Sequence, residues 1–442
     1  MITKIIRSKK SNYFLLISVL LILMILLSSC SAKKSSPSEK TTISEESSVD
    51  KEETLLPTID NPFYYNLYHH IAETDNGYFI MSSGILHYLD KETGKVVVFS
   101  NDSIQAEELL NKVYQDGEQH DAYFGDNVSI HYFNEHLYTL ESVDYLKGDW
   151  EVIKVDPATM QRQRIGSIKS MYGDFAVAGD KIYTLYAEVE NDEKAVRGYV
   201  YDYFLAVYDL EAEQSEEAIS VPVSEDFREN QITAPRYDVS NNMIHFNLNY
   251  SAETDTDLGF VEKTIYVSYD VSNGEFSFET LLEYPKDNEK IRNLFELDGI
   301  RYYSYLSFPL PDDQNGDMEA WYVKKDKEQV SDKYSLPANY YIETNGKDIY
   351  AIPAVLGLST PDYFSQEAFK VYKVVGDELE VIADISDEEA AIIQFPMEVC
   401  IGTNGDIFLM VPSGEAFYQI VDNQIVVKFD YLDVYENLFA EE

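Results

Sequence analysis

Oxygen-bearing side chains at alternate positions are the first candidates for chemistry in this 442-residue sequence. In "PDDQNGDMEAW", Asp313, Asn315, Asp317 and Glu319 offer hard ligands in the order in which a calcium loop of the EF-hand type begins. Met318 stands where such a loop has its sharp-turn glycine, and Lys324 where it has a closing bidentate glutamate, so an acidic hairpin loop is the competing reading. "ETDTDLG", residues 253 to 259, is a second acidic loop of the same kind. His69 and His70 are neighbours, so in a strand they face opposite sides and cannot share a metal. His131 and His136 lie five apart around an expected turn and read as ordinary surface or strand histidines. Cys400, between Val399 and Ile401 in "MEVCIGTNG", reads as a small buried hydrophobe rather than a nucleophile. The Gly-x-Ser-x-Gly elbow, His-Glu-x-x-His, the P-loop and Cys-x-x-Cys are absent, which removes the usual hydrolase, zinc and nucleotide signatures.

The other cysteine has a different setting. Lys4, Arg7, Lys9 and Lys10 precede a run from Tyr13 to Leu27 that is apolar but for Ser18. That order is the layout of a secretory signal. Fifteen residues at 1.5 Å rise span about 22 Å, short of the roughly 30 Å of a hydrocarbon core. Leu27-Ser28-Ser29-Cys30 follows and resembles the bacterial lipobox, in which small residues admit a peptidase and the cysteine thiol takes a diacylglycerol. Two chains at one cysteine anchor firmly where one chain holds only marginally. The resemblance implies that residues 1–29 are a lipoprotein signal peptide, that Cys30 is the lipidated first residue, and that the protein sits on the extracytoplasmic face of the cell membrane.

Without residues 1–29 the chain has 30 Lys+Arg against 79 Asp+Glu, a net charge of about −49. Such a surface repels phosphate backbones and anionic headgroups, which argues against nucleic acid as a partner and against any membrane contact other than the anchor. Beyond Cys30 the single thiol of Cys400 cannot close an intrachain disulfide, so stability must come from core burial. Residues 30–60, Ser, Thr, Lys and Glu with few apolar residues, form a disordered tether with a reach of about 30 Å.

Residues 61–442 repeat themselves. Seven aromatic-rich runs start near Phe79, Tyr138, Tyr183, Phe246, Tyr303, Tyr350 and Phe408, about 55 residues apart. Each is followed by a variable connection, a second run ending near an Asp, a turn and a third run. One more alternating segment precedes each copy, as in "NYYIETNG". Four short strands per unit at this period predict an all-β fold, a β-propeller of seven four-stranded blades, with six or eight as neighbouring counts. One helical pattern stands out, residues 103 to 114, where Ile104, Leu109, Leu110 and Val113 share a face.

Tyr88, Asp90, Thr93, Gly94, Lys95 and Val96 make a Y-x-D-x-x-T-G-K-V hairpin, in which this region resembles the propeller-like ectodomains of uncharacterised Gram-positive lipoproteins. The resemblance implies a fold and a location, and the motif itself specifies a hairpin. The sialidase Asp-box is missing, and with only Trp150 and Trp321 there is no tryptophan repeat of the quinoprotein kind. In a propeller the connections from second to third strand and from fourth strand to the next blade emerge at one end of the ring, and here the long ones are 187–202, 251–261, 308–319, 355–367 and the inter-blade excursion 100–127. They carry Tyr199, Tyr201, Phe260, Tyr363 and Phe364 together with Asp255, Asp257, Asp312, Asp313 and Asp317. The expectation is a non-enzymatic binding or scaffold module whose ligand is an envelope protein, peptide or glycan, with no cofactor other than calcium at the acidic loop. The alternative is a propeller-type glycosidase or lyase using two channel-mouth carboxylates roughly 5 to 9.5 Å apart.

Overall fold

The computed structural model describes residues 70–431 apart from positions 83, 102–103, 115–119, 126–128, 193–197, 225–227, 229–236, 241–242, 254–259, 284–288, 308–318, 328, 355–367, 394–396 and 411–415. They belong to one compact unit, Leu55–Glu442. Its architecture is a ring of seven antiparallel meanders, each built from consecutive strands: blade 1 over 71–98, blade 2 over 130–169, blade 3 over 176–220, blade 4 over 237–283, blade 5 over 289–336, blade 6 over 340–385 and blade 7 over 398–430. In blades 3 and 5 the fourth strand is broken into two short pieces that both pair with the third. The seven-bladed expectation is met.

Turn chemistry explains why the chain reverses where it does. Asn134 and Glu135, Asp298 and Gly299, and Asp422 and Asn423 all have positive φ at two-residue hairpin turns, the pairing of conformations that matches strand twist. At the third-to-fourth turns of blades 1 to 4 an Asp at or just past the strand end accepts from the backbone ahead of it. Asp90 Oδ1 takes the Thr93 N–H at 2.6 Å and its hydroxyl at 2.7 Å, Asp156 takes Ala158 and Thr159, Asp209 takes Ala212, and Asp270 takes Ser272. The recurrent Asp is therefore a turn cap, and the bonds from Thr93 hold the Asp90 carboxyl below its usual pKa.

The seven leading aromatics all stand on the second strand of their blade, each buried to between 1% and 4% exposure. They pack into the seams between blades. Leu137 joins Phe79 at the seam of blades 1 and 2, Tyr208 joins Tyr138 at blades 2 and 3, and Tyr183 meets Phe246 at blades 3 and 4. One continuous cluster runs through blades 5, 6 and 7, and Tyr78, Ile80, Phe408 and Phe417 join blade 7 to blade 1. The seam between blades 4 and 5 has the smallest cluster among the described residues, with Tyr266, Leu294 and Tyr303 at its centre.

First strands touch at the seams of blades 1 and 2, 3 and 4, 4 and 5, and 5 and 6, and polar bonds tie the seams near the axis. Ser129 donates to Asp174, the Leu185 N–H to the Tyr237 hydroxyl, Asn293 to Ile342 O and Glu343, and Asn345 to Gly402 O. At the last seam Glu73 accepts from the Thr403 N–H at 2.9 Å, the Thr403 hydroxyl at 2.8 Å and Lys91 Nζ at 2.5 Å. No blade is shared between the two ends of the described chain, and among the described residues side-chain packing and side-chain bonds, not a shared strand, close the ring. The expected helix is present as Ala106–Tyr114, with Ile104, Leu109 and Leu110 buried and Val113 packed beside them under blade 1.

Candidate functional site

A meander sends its first-to-second and third-to-fourth turns to one end of the ring and its second-to-third connection to the other. At that second end the blades differ sharply. In blade 7 the second and third strands share four pairs, and in blade 1 six. Blades 3 and 4 instead pair eleven residues each, Lys181–Asn191 with Tyr199–Asp209 and Met243–Glu253 with Phe260–Asp270. In blade 3 the extra length stands beyond the rest of the sheet, whereas in blade 4 the fourth strand follows the third as far as Lys263. In blade 3 the first strand pairs only with Lys181 to Tyr183, and the pieces of the fourth strand reach only as far as Phe204. Single bonds from Met171 to Leu185 O and from Val221 to Tyr203 O add the last rungs. Six residues from Tyr186 to Asn191 then continue for about 20 Å as a two-stranded ribbon. Burial follows, since Ile182 to Leu185 are buried, Tyr186 and Ala187 half-buried, and Glu188 to Asn191 exposed, with Val189 at 64%.

The two faces of this ribbon are unlike. Tyr199, Tyr201 and Tyr203 project to one side with Val189 and Ala187 opposite them, and their rings form a ladder with centroids 5.7 Å and 6.2 Å apart. Tyr203 is fully buried in the cluster between blades 3 and 4, and Tyr201 and Ala187 pack against that cluster. The other side carries Glu188, Glu190 and Asp202, and Arg228 lies across it with Asp202 at 2.6 Å and Glu190 at 3.4 Å.

Several expectations change on this geometry. Tyr199 and Tyr201 are strand residues of a paired ribbon, not loop residues, and both are half-buried rather than exposed. The cause is register, because the alternation of Tyr with Val and Asp continues the strand past the point where composition turns acidic. Likewise residues 251–253 and 260–261 belong to the blade 4 hairpin, which makes Phe260 the first residue of a strand. Glu319 opens the third strand of blade 5 and is exposed. The remaining expected positions, Cys30, Asp255, Asp257, Asp312, Asp313, Asn315, Asp317, Tyr363 and Phe364, lie outside the described residues, as do residues 1–69 with the apolar segment and tether. Among the described residues no three His, Cys, Asp or Glu side chains gather as a metal site, and no helix is long and apolar enough to cross a membrane.

Cys400 stands fully buried in the first strand of blade 7, where burial first, and then the charges of Glu398 and Glu343, push its thiol well above the ordinary range. That agrees with a packing role. Glu343 and Glu398 are themselves buried carboxylates on first strands, and sequence reasoning passed over them. The available signal was a charged residue inside an otherwise apolar alternating segment, "YYIET" and "MEVCI". His131 is buried against the Phe175 ring at 4.3 Å, and His136 is bonded to Asn134 O at 2.8 Å.

No family model matches the chain, and no curated protein matches it. Solved structures of similar form include the β-propeller domain of the Trilobed protease from Pyrococcus furiosus, at 14% identity and a TM-score of 0.41, covering 69% of this chain and 84% of that one. An acylaminoacyl peptidase from Pyrococcus horikoshii aligns at 12% identity and a TM-score of 0.40 over 68% of this chain and 45% of its own, so this chain spans less than half of that protein. A GH32 β-fructofuranosidase from Bombyx mori aligns at 10% identity and a TM-score of 0.26 over 67% of this chain and 77% of that one.

Proposed function

We propose that the protein is a binding module held at the outer face of the cell membrane by lipid on Cys30, and that it engages an envelope protein, peptide or glycan with the hairpin end of its propeller. The observation that carries the reading is the pair of eleven-residue hairpins on adjacent blades 3 and 4. An isolated two-stranded ribbon is marginal by itself, so extending the blade 3 hairpin as one adds little to ring stability and much to reach. Beyond Leu185 and Tyr203 no strand among the described residues pairs with the ribbon's edges. Such edges accept an extended peptide by strand addition, with backbone bonds supplying affinity and side chains supplying choice. The tyrosine ladder offers apolar ring surface with polar tips, which suits peptide or sugar alike. Exposed Glu188 and Glu190 favour a partner segment that is basic, while guarding the edge from self-association.

The test is a fractionated capture from the native envelope with wild type and two variants. Cys30→Ala should move from the membrane to the soluble fraction and still retain the partner. A variant in which Asn-Gly replaces residues 188–202, joining Ala187 to Tyr203 through a type I′ turn, should stay membrane-bound and lose at least nine-tenths of the capture. Retention of the partner by the shortened variant would place recognition elsewhere, and membrane retention of Cys30→Ala would remove the anchor.

A further inference from the structure

At the opposite end of the ring, the seam between blades 4 and 5 holds a cavity of about 500 Å³. That size lies within the range of about 300–1,000 Å³ typical of small-molecule sites. It opens at the seam whose apolar cluster is the smallest among the described residues. Its walls are Tyr266 and Ser268 from the third strand of blade 4, Ser277, Phe278 and Glu279 from the fourth, and Glu296, Gly299, Arg301, Lys325 and Lys327 from blade 5.

The charge in this cavity runs against the rest of the chain. Three cations face two carboxylates here, whereas the whole sequence has 34 Lys+Arg against 79 Asp+Glu. Arg301 and Lys325 are positioned by Glu279, at 2.9 Å and 2.6 Å, and Arg301 also by Glu296 at 3.3 Å. The Tyr303 hydroxyl donates to Glu279, and the guanidinium sits 5.2 Å from the centre of the buried Tyr266 ring. Behind that ring His245 stacks at 5.2 Å and 10°, with Nδ1 2.8 Å from the Ser268 hydroxyl. Arg301 and Lys325 are thus held in place by these contacts. Lys327 differs from the other two cations. It stands in the two-residue turn between Asp326 and Gln329, with φ +54°, and forms no ion pair among the described residues. Across the same cavity Phe278 leaves 41% of its surface exposed.

From this juxtaposition we infer that the cavity between blades 4 and 5 binds a small organic anion, its carboxylate or phosphate group held by Lys327 beside the braced Arg301 and Lys325, and its apolar face resting on Phe278. An ammonium with no ion pair among the described residues, next to two fixed cations, favours a negative group. A bare inorganic ion would leave most of the volume and the aromatic rim unused. This site is independent of the hairpin end.

Four probes separate the contributions when titrated calorimetrically into the full chain: glucuronate, glucose 6-phosphate, glucose and inorganic phosphate. The two anionic sugars carry the same body on different anionic groups, glucose lacks the charge, and phosphate lacks the body. At least one anionic sugar should bind saturably and at least tenfold more tightly than both glucose and phosphate, and the preferred arm identifies the group as carboxylate or phosphate. Lys327→Gln, with unchanged melting temperature, and Phe278→Ala should each weaken that binding at least fivefold, while Lys95→Gln on exposed blade 1 surface should have no effect. The variant with the shortened blade 3 hairpin should bind as wild type does. Absence of saturable binding by either anionic sugar, equal binding of phosphate alone, or indifference to Lys327→Gln would overturn the inference.

Discussion

His87 shows how a single side chain can join the ring and limit the conditions it tolerates. It lies fully buried in blade 1, stacked on Phe429 at 4.5 Å, with Nδ1 3.0 Å from Ile85 O and Nε2 2.8 Å from the Tyr431 hydroxyl beyond blade 7. A carbonyl can only accept, so Nδ1 carries the proton and Nε2 accepts from Tyr431. Burial lowers the imidazole pKa from 6.5 to about 4. Below pH 6.5 the unfolded histidine therefore takes a proton that the folded one refuses, and stability rises with pH through this window. The contribution is complete above pH 6.5 and lost as pH falls to about 4, amounting to roughly 3 kcal/mol. His245, lowered to about 3 by burial and by Arg301, adds a slope of the same sign. Urea unfolding of wild type beside His87→Phe, from pH 7.5 to 4, should show the stability difference between them shifting toward the variant as pH falls. A difference that stays constant with pH would refute the assignment. None of this was legible in the sequence, because His87 occupies an ordinary alternating strand and its partner lies 344 residues away.

Strands and turns were far more legible. The leading aromatics mark the second strand of every blade because a Tyr or Phe there fills a seam, and in blades 1 to 4 the Asp before the third-to-fourth turn announces a cap that local hydrogen bonds enforce. Hairpin length escaped the reading. Glu188, Glu190 and Asn191 are as polar as any loop, since their strand is exposed beyond Ala187, and only pairing with the alternating Tyr199–Tyr203 shows it as strand. Close approach between strands of different blades was equally hidden. Gly166, mid-strand in blade 2, faces the Tyr208 ring of blade 3, whose hydroxyl donates to Ile165 O at 2.6 Å, and an added Cβ would fall 2.4 Å from that hydroxyl oxygen. Gly166→Val should push the tyrosine from its slot and cost about 1–3 kcal/mol, whereas Val97→Thr, at a position 55% exposed on blade 1, should stay within about 0.5 kcal/mol. Urea midpoints at constant slope make the comparison, and equal midpoints for the two variants would show that the seam yields there without cost.

For the molecule as a whole, the period of the repeats was enough to read the ring, and what differs from seam to seam was not. Apolar fillers recur every 55 residues or so, which makes blades countable, but the thin, charged packing of blades 4 and 5 comes from Glu279, Arg301 and Lys325, residues that look like surface in the sequence. The ends of the described chain meet without exchanging a strand: Tyr78 donates to Asn404 and Asp406 at 2.9 Å and 2.7 Å, and Lys428 reaches Gly94 O at 3.0 Å. Every blade is thus complete in its own stretch of sequence, and the order in which the blades are strung is topologically arbitrary. A circular permutant is the natural consequence, with Tyr431 linked to His70 through about ten Gly and Ser residues and new ends opened after the exposed Ser224 between blades 3 and 4. Closing a connection of that length costs little, since each doubling of a loop adds only about 0.6 kcal/mol. The permutant should fold to the same far-ultraviolet spectrum as residues 70–431 in their natural order and melt within about 10 °C of them. Insolubility of the permutant alone would mean that blade 1 must be made first, and that the ring is assembled in sequence rather than closed by whichever faces come together last.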